Sequence, residues 1–243
     1  MANSYFRFKQ FSVSQDHCAM KVCTDACLFG AWLAGKTTRQ SIAKALDIGT
    51  GTGLLSLMLA QQHRGLQIDA VELDTAAANQ AAENIKASPW PEQIHVHPVS
   101  IQQYPVTNDY DLVFSNPPFF ENDLKSASDT RNLALHSAAL SLEELAEIAV
   151  AQLKPDGHFA VLLPWHRNPY FRELAGSKGL FLVEETRVRQ TPKHDFFRSM
   201  LLFSATPAAE AVRETEITIK EGTRYTPAFC GLLDAYYLDV NRA

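Results

Sequence analysis

The chain lacks any apolar run long enough to cross a membrane, which would need about eighteen or more consecutive hydrophobic residues. It begins with the aromatic and basic stretch MANSYFRFKQFS, which has no apolar centre of the kind found in signal peptides. These two absences argue against the membrane-spanning and secreted classes of protein. They predict a cytoplasmic protein without a membrane partner.

Cysteine is scarce as well. The sequence has four cysteines, of which Cys18, Cys23 and Cys27 lie near His17 and Cys230 lies far along the chain. No CxxC pair occurs, and the loose spacing is not typical of a zinc site. Disulfides are not expected in a protein that is not secreted. We therefore expect buried, reduced thiols and no bound metal.

An excess of positive charge is also absent, because the formal net charge is −5 and the sequence pI is about 5.9. This balance argues against a protein coated with basic residues, but it leaves room for a local basic patch that contacts phosphates. The 243 residues are 46% hydrophobic and contain no internal repeat, which fits one globular domain with additions.

Short apolar runs and helix-like stretches alternate from residue 44 onward. Residues 141–154 form the clearest predicted helix, in which Ser141 and Glu144 match a capping box. This alternation predicts an α/β fold, a doubly wound and mostly parallel seven-stranded sheet with helices on both faces. The seven predicted strands are KALDIG, LQIDAVEL, QIHVHPVS, YDLVFS, GHFAVLLP, LFLVEETRV and SMLLFSA.

The two ends of the chain do not follow this alternation. We interpret residues 1–40 and 207–243 as extensions of a core at 41–206, all within a single 1–243 domain. The second extension begins with a turn-rich link and continues with YTPAFCGLLDAYYLDV, which we predict to be a helix.

Four polar residues stand at the ends of predicted strands: Asp47, Glu72, Ser100 and Asn116. In an open α/β sheet the ligand site lies beyond the carboxyl ends of the strands. We therefore expect these four side chains at one edge of the sheet, around one ligand.

A glycine-rich loop follows the first of these strands in ALDIGTGTGLLSL. Gly49, Gly51 and Gly53 allow a tight turn and a close approach of the backbone to a ligand. The spacing is GxGxG and position 54 is Leu54, so the dinucleotide pattern GxGxxG is not met. The alternative is a glycine turn in a sheet protein with some other ligand.

With the carboxylates, this loop resembles that of S-adenosylmethionine-dependent methyltransferases. The resemblance implies that Asp47 faces the positive charges of the cofactor and that Glu72, beside Leu73, accepts both ribose hydroxyls. In many such enzymes an acidic residue after the third strand contacts the adenine amine. Here Ser100 stands there, and we expect it to contact adenine together with Ile101, through a weaker hydrogen bond.

The stretch YDLVFSNPPFF places an amide, two prolines and aromatic rings directly after a strand. It resembles the (Asp/Asn/Ser)-Pro-Pro-(Tyr/Phe) signature of methyltransferases that act on amino nitrogens. Asn116 and the carbonyl of Pro117 would accept hydrogen bonds from the reacting amine, Pro118 would stiffen the turn, and Phe119 would stack on a base. Adenine, cytosine, the guanine amino group and the glutamine side chain all remain possible substrates, and a plain proline loop is the alternative.

Longer segments resemble the bacterial tRNA adenine-N6-methyltransferase family that modifies adenine 37 of a valine tRNA. They are FRFKQFSVSQDHCAMKVCTDACLFGAWLAG, LDIGTGTGLLSLMLAQ, SNPPFFEN, HSAALSLEEL, TPKHDFFRSMLLFS and YTPAFCGLLDAYYL. The resemblance implies a Rossmann-like class I methyltransferase that uses S-adenosylmethionine on tRNA, and we expect a monomer. It also implies that Lys21, Thr24 and Asp25 help to close the cofactor pocket.

The substrate side is predicted from a basic and aromatic segment, RVRQTPKHDFFR. Arg187, Arg189, Lys193 and Arg198 with neighbouring phenylalanines suit single-stranded RNA, although a charged edge strand is the alternative. Phe120 and His136, which follow the proline pair, would also contact substrate. Family members often carry a basic residue before this histidine, where this chain has leucine, so RNA contact is expected elsewhere.

Other functions remain open at this point. A ribosomal-RNA guanine-N2 methyltransferase or a protein glutamine methyltransferase would use the same proline motif. A nicotinamide-dependent oxidoreductase is disfavoured by Leu54 and by the proline pair. A catalytically idle RNA-binding module is disfavoured by the intact Asp47, Glu72 and Asn116.

Overall fold

The computed structural model describes residues 4–16, 18, 21–37, 42–118, 140–207 and 210–239. Three predicted site residues, Phe119, Phe120 and His136, lie outside these ranges.

Twelve strands occur in the described residues, and eight of them form one central sheet. The small strands β1 (Tyr5–Arg7) and β2 (Ser12–Ser14) form a hairpin, and β11 (Lys220–Glu221) pairs with β12 (Arg224–Tyr225). The strands of the central sheet are β3 (Lys44–Ile48), β4 (Gln67–Val71), β5 (Ile94–His97), β6 (Tyr110–Ser115), β7 (Leu153–Pro164), β8 (Phe181–Arg189), β9 (Phe196–Ser204) and β10 (Arg213–Thr218).

The sheet has the strand order β10-β8-β9-β7-β6-β3-β4-β5. Only β9 runs against its neighbours, since it is antiparallel to both β7 and β8 while the other described pairs in this sheet are parallel. The carboxyl ends of seven strands therefore meet at one edge, together with the beginning of β9. The prediction of a doubly wound, mostly parallel sheet is confirmed.

The predicted number of seven strands is wrong, because β10 adds an eighth strand parallel to β8. The sequence of β10 is RETEIT, in which Ile217 is the one buried side chain. Edge strands often carry charges that prevent further pairing. The strand is therefore held by backbone pairing, and its polar sequence resembles a loop.

Helices cover both faces of the sheet. The first face carries α1 (Thr24–Thr37), α2 (Leu54–Gln62), α3 (Thr75–Lys86) and α6 (Pro227–Leu233), whose apolar residues share one core cluster. The second face carries α4 (Leu142–Gln152) and α5 (Asn168–Ser177), which pack into another. The predicted capping box at the start of α4 is confirmed, with both of its reciprocal hydrogen bonds present. The described helices include none with the length and apolarity to span a membrane.

The two extensions pack against each other on the first face. Phe8 stacks on Phe11 at 4.5 Å between ring centroids, and Phe11 meets the edge of Trp90 at 5.9 Å. Phe8 also forms an antiparallel bridge with Tyr237. The predicted C-terminal helix is present but short, because α6 has only seven residues. The hairpin is thus anchored beside α3 by burial of aromatic rings.

Gly157 occupies a bulge of β7 that leaves no room for a side chain. A Cβ atom there would lie 2.8 Å from Leu153 Cδ2 and 2.9 Å from the carbonyl oxygen of Tyr110. Gly157→Ala should destabilise the protein by about 2 kcal/mol, because backbone must move to relieve the overlap. Gly176→Ala, where no atom lies within 4 Å, is the matched control. Thermal unfolding of both variants checks this, and equal melting temperatures would contradict it.

Candidate active site

The glycine loop turns sharply between β3 and α2. Gly49, Gly51 and Gly53 have φ angles of 74°, 56° and 80°, in the left-handed region that favours glycine. The N–H groups of Gly49 and Thr50 both donate to the carbonyl of Val71, at 2.9 and 3.1 Å. No atom lies within 4 Å of a Cβ built at Gly49 or Gly51, so backbone conformation rather than crowding requires glycine there. The loop thus has open space beside it.

Asp47 is fully buried beneath this loop. Its Oδ2 accepts hydrogen bonds from the hydroxyls of Thr50 and Ser56, both at 2.7 Å, while its Oδ1 has no hydrogen-bond partner among the described residues. Burial raises the pKa of Asp47 from 3.8 to about 6; the two hydroxyl hydrogen bonds oppose this rise, and the charge of Glu72 adds to it. Asp47 therefore holds the loop through two hydrogen bonds, and a nearby positive charge would stabilise its ionised form.

Glu72 is fixed on the other side of the loop. Its Oε2 accepts from the N–H of Gly51 at 2.9 Å, and its Oε1 accepts from the N–H of Asp74 at 3.0 Å. The neighbouring Leu73 is 51% exposed, an apolar side chain left open beside a carboxylate. Together they place carboxylate oxygens that can accept from hydroxyl groups and an exposed apolar side chain at the end of β4.

Ser100 and Ile101 lie in the turn after β5, at the start of a short 3-10 helix. Ile101 is largely buried, and the turn ends at Tyr104. The hydroxyl of Tyr104 lies 3.0 Å from that of Tyr110, which donates to Asp69 Oδ2 at 2.8 Å. These hydrogen bonds join the residue that ends the turn to the beginning of β6 and to the middle of β4, while Ser100 itself follows the carboxyl end of β5.

The proline pair begins directly at the end of β6. Ser115 pairs in register with Ile48 and donates its hydroxyl to the carbonyl of Ile48 at 2.8 Å. Asn116 is half-buried, Pro117 is buried and Pro118 is exposed. Ile48 leads directly into the glycine loop. Asn116 follows Ser115, the partner of Ile48 on the adjacent strand, so the turn that begins at Asn116 lies beside that loop.

The N-terminal segment approaches this edge at two described points. Burial raises the pKa of Cys18 to about 11, and the charges of Glu72 and Asp74 add to the rise, so this thiol lies close to the end of β4. Seven residues later, Asp25 Oδ2 accepts from Arg198 Nε at 2.7 Å. Burial would raise the pKa of Asp25, but hydrogen bonds from Cys23 and Arg198 hold it below its ordinary value.

These two contacts are separated by four strand-to-strand steps, from β4 through β3, β6 and β7 to β9. Lys21 lies shortly before α1 and Thr24 is the first residue of that helix; both side chains are exposed.

The predicted basic patch is divided between the two faces of the sheet. Arg198 pairs in register with Val188, whose side chain is in the core of the first face. Arg187 pairs with Ser199 and Arg189 with Phe196 across a register shift, on the opposite face. The structure therefore separates Arg198 from Arg187 and Arg189, and it brings Arg198 to the N-terminal segment instead.

On the second face, Arg187 and Arg189 flank an aromatic pair, Trp165 and Phe196. The sequence had indicated the phenylalanine but not the tryptophan. Trp165 follows β7 and meets the edge of Phe196 at 5.5 Å between centroids. The guanidinium of Arg187 lies 5.7 Å from the Phe196 ring and that of Arg189 lies 5.2 Å from it. The arginines also contact Glu214 and Glu216 of β10. The position of Trp165, just beyond a predicted strand, was the available signal.

No metal centre was predicted, and the described residues contain no group of three or more His, Cys, Asp or Glu side chains arranged to hold one. Cys18, Cys23, Cys27 and Cys230 are free thiols; two are buried and two are half-buried. Lys193 is exposed in the hairpin between β8 and β9.

Comparison with known proteins agrees with this geometry. The model of the methyltransferase small domain family matches residues 30–166, more than half of the chain. A predicted O-methyltransferase from Agrobacterium tumefaciens has a similar structure, with a TM-score of 0.66 and 15% identity over 87% of this chain and 96% of that one. A methyltransferase from Pyrococcus furiosus has a TM-score of 0.54 and 21% sequence identity, over 74% of this chain and 83% of that one. The predicted class I methyltransferase fold is thereby confirmed.

Full-length relatives narrow the class further. A protein of Dyadobacter fermentans is 41% identical over 97% of this chain and 98% of its own, and one of Cytophaga hutchinsonii is 41% identical over 99% and 100%. Both are named tRNA1(Val) (adenine(37)-N6)-methyltransferase. The chain belongs to this family, and its methyl donor is S-adenosylmethionine. The predicted family and cofactor are confirmed.

The residues present fit that cofactor. A sulfonium and an ammonium are positive charges that suit the buried Asp47, whose Oδ1 has no hydrogen-bond partner in the described chain. The fixed carboxylate of Glu72 suits a ribose, and the exposed Leu73 suits an adenine ring. The space beside Gly49 and Gly51 allows the backbone to approach a ligand.

The raised pKa of Asp47 makes the stability of the cofactor-free protein depend on pH. Between pH 3.8 and about 6 the folded state holds more of this proton than the unfolded chain, so stability falls as pH rises through that window. Asp47→Asn removes this contribution. The difference in free energy of unfolding between variant and wild type should therefore shift in favour of the variant by about 2 kcal/mol from pH 4 to pH 7. Urea unfolding measures it, and a difference that does not vary with pH would contradict the assignment.

Proposed function

We propose that this protein transfers a methyl group from S-adenosylmethionine to the exocyclic N6 amine of adenine 37 in the anticodon loop of a valine tRNA. The names of the full-length relatives support the substrate. The single observation that carries the chemistry is the start of Asn116-Pro117-Pro118 at the end of β6, in register with the strand that leads into the glycine loop.

The cofactor supplies an electrophilic methyl group, and the chain supplies position and polarity. The adenine amine is a weak nucleophile, because its lone pair is delocalised into the ring. The side-chain oxygen of Asn116 and the carbonyl of Pro117 would accept its two hydrogens and favour a tetrahedral nitrogen. Fixed proline torsions hold the carbonyl in place, and Phe119 would stack on the base. Holding donor and acceptor in line contributes a large part of the rate.

The same proposal assigns the cofactor contacts. Asp47 would balance positive charge, Glu72 would hold the ribose, and Leu73, Ser100 and Ile101 would enclose the adenine. The open backbone of the glycine loop would lie against the cofactor, at Gly49, Gly51 and Gly53.

The extensions are part of the same proposal. Residues 1–40 would cover the cofactor within a single-domain monomer of residues 1–243. We call residues 21–25, which include Lys21 and Thr24, the covering segment. The contact between Asp25 and Arg198, at 2.7 Å, supports this arrangement because it ties the segment across the edge of the sheet.

The RNA would lie along the second face at the edge of β8 and β9. Arg187, Arg189 and Lys193 would contact phosphates, and Trp165 and Phe196 would offer rings for unpaired bases. A loop adenine is already unpaired, so its extrusion costs less than opening a duplex. Phe120 and His136 stay predicted substrate contacts, and Arg198 would act on the substrate side only through the covering segment.

Product analysis tests the proposed function. Purified protein with labelled S-adenosylmethionine and tRNA from a strain lacking the gene should yield label in N6-methyladenosine. Asn116→Ala should lose at least a hundredfold in turnover and bind the cofactor within about threefold of wild type, because the proposal assigns its amide to the reacting amine and not to the cofactor.

Label in another nucleoside would keep the cofactor but overturn the adenine assignment. If tRNA takes up no label, ribosomal RNA and protein are supplied in its place, and label in guanine or in glutamine would favour one of the competing substrates. A joint loss of cofactor binding and turnover in Asn116→Ala would show that its role is misassigned.

A charge reversal tests the proposed RNA surface. Lys193→Glu should raise the KM for tRNA about tenfold and leave the cofactor affinity unchanged, because the side chain is exposed in the hairpin between β8 and β9 and is not among the proposed cofactor contacts. Lys86→Glu makes the same change of net charge at the end of α3, near the opposite edge of the sheet. Equal effects of the two variants on the KM for tRNA would mean that only net charge matters, and would contradict the proposal that RNA binds at the surface around Lys193.

A further inference from the structure

A buried amide joins the glycine loop to the N-terminal hairpin. Asn84, on α3, is 4% exposed. Its Oδ1 accepts from the N–H of Ser14 at 2.8 Å, and its Nδ2 donates to the carbonyls of Ser14 and Thr52, both at 2.9 Å. Both N–H protons and the oxygen of this amide are thus used, and all three bonds go to the backbone of other segments.

The bond to Thr52 fixes the direction of one peptide group in the glycine loop. Thr52 lies between Gly51 and Gly53, which both have positive φ angles. Glycine has many accessible conformations, so a loop with three such residues is not held by local preference. An external donor to the carbonyl between two of them selects one conformation of the loop.

The two bonds to Ser14 fix the hairpin in the manner of an added strand. The N–H of the next residue, Gln15, points the other way and donates to Ser4 within the hairpin. The side-chain Oε1 of Gln15 accepts from the N–H of Val22 at 2.8 Å. The position of the hairpin therefore sets where residues 21–25 begin their path along the edge of the sheet.

We propose that Asn84 is a positioning residue for the cofactor site, which sets the glycine loop and the covering segment at a fixed separation. It touches neither cofactor nor substrate, and it acts through Thr52 on one side and through Ser14 and Gln15 on the other. The N-terminal hairpin is in this way part of the cofactor site, because this amide joins it to the glycine loop. This inference rests on the proposed placement of the cofactor at the glycine loop.

Calorimetric binding of S-adenosylmethionine to the full chain, without RNA, tests the proposal. Asn84→Ala should weaken binding about tenfold, whereas turnover at saturating cofactor should fall less than threefold. Gln93→Ala is the matched control, because its Nε2 likewise donates to two backbone carbonyls, of His63 and Leu66, but near the amino ends of the strands. The control should lower the melting temperature and leave the dissociation constant unchanged.

A second variant approaches the same bond from the hairpin. Ser14→Pro removes the N–H that donates to Asn84, and it should weaken cofactor binding by a similar factor. The double variant should lose less than the product of the two single losses, because both remove one interaction. In the cofactor-free protein, hydrogen exchange should accelerate at both residues 50–53 and residues 21–25 in each single variant, and at neither in Gln93→Ala.

Three outcomes would overturn the proposal. If Asn84→Ala lowers only the melting temperature, as the control does, the amide is merely structural. If exchange accelerates at the loop but not at residues 21–25, the two parts are not coupled. If wild-type protein binds no S-adenosylmethionine, the placement of the cofactor fails and this inference fails with it, whereas tight wild-type binding with an unaffected Asn84→Ala refutes the positioning role alone.

Discussion

A buried carboxylate at the end of the central strand β3 is the constraint on which the rest of the site depends. Asp47 receives the hydroxyls of Thr50 and Ser56, so one side chain closes the loop and fixes the first turn of α2 above it. Glu72 holds the same loop from the neighbouring strand through the N–H of Gly51. Two carboxylates therefore shape a loop whose glycines provide freedom but no rigidity of their own.

The parallel sheet turns this local arrangement into a site. Because the carboxyl ends of seven strands meet at one edge, residues from distant parts of the chain, such as Glu72, Ser100 and Asn116, lie side by side. At the same edge, Arg198 near the beginning of β9 donates a hydrogen bond to Asp25 of α1. The N-terminal part of the chain is therefore tied to the edge at which these polar residues meet.

Sequence reasoning succeeded where one pattern has one physical meaning. Alternating apolar runs predicted the core strands, and Ser141 with Glu144 predicted a helix start, because burial and capping are local requirements. Strand ends predicted which polar residues would share an edge.

It failed where tertiary pairing decides. The polar β10 is held by backbone bonds to β8, which leave no hydrophobic signal. The segment RVRQTPKHDFFR looked like one basic patch, but Arg198 pairs with Val188, so strand alternation places it on the face opposite to that of Arg187 and Arg189. The amide of Asn84 could not be recognised either, since a helical asparagine gives no sign of three backbone partners 32 and 70 residues away.

The eighth strand has a consequence for selectivity. Arg187 and Arg189 are already in ionic contact with Glu214 and Glu216 of β10. The phosphates of any polyanion that reaches the two arginines must therefore displace these carboxylates. Such an exchange yields little net electrostatic free energy, because one ion pair replaces another. A ligand gains there only by adding something the glutamates lack, such as a base that stacks on Trp165 or Phe196. The acidic edge strand would thus compete with any ligand that offers charge alone.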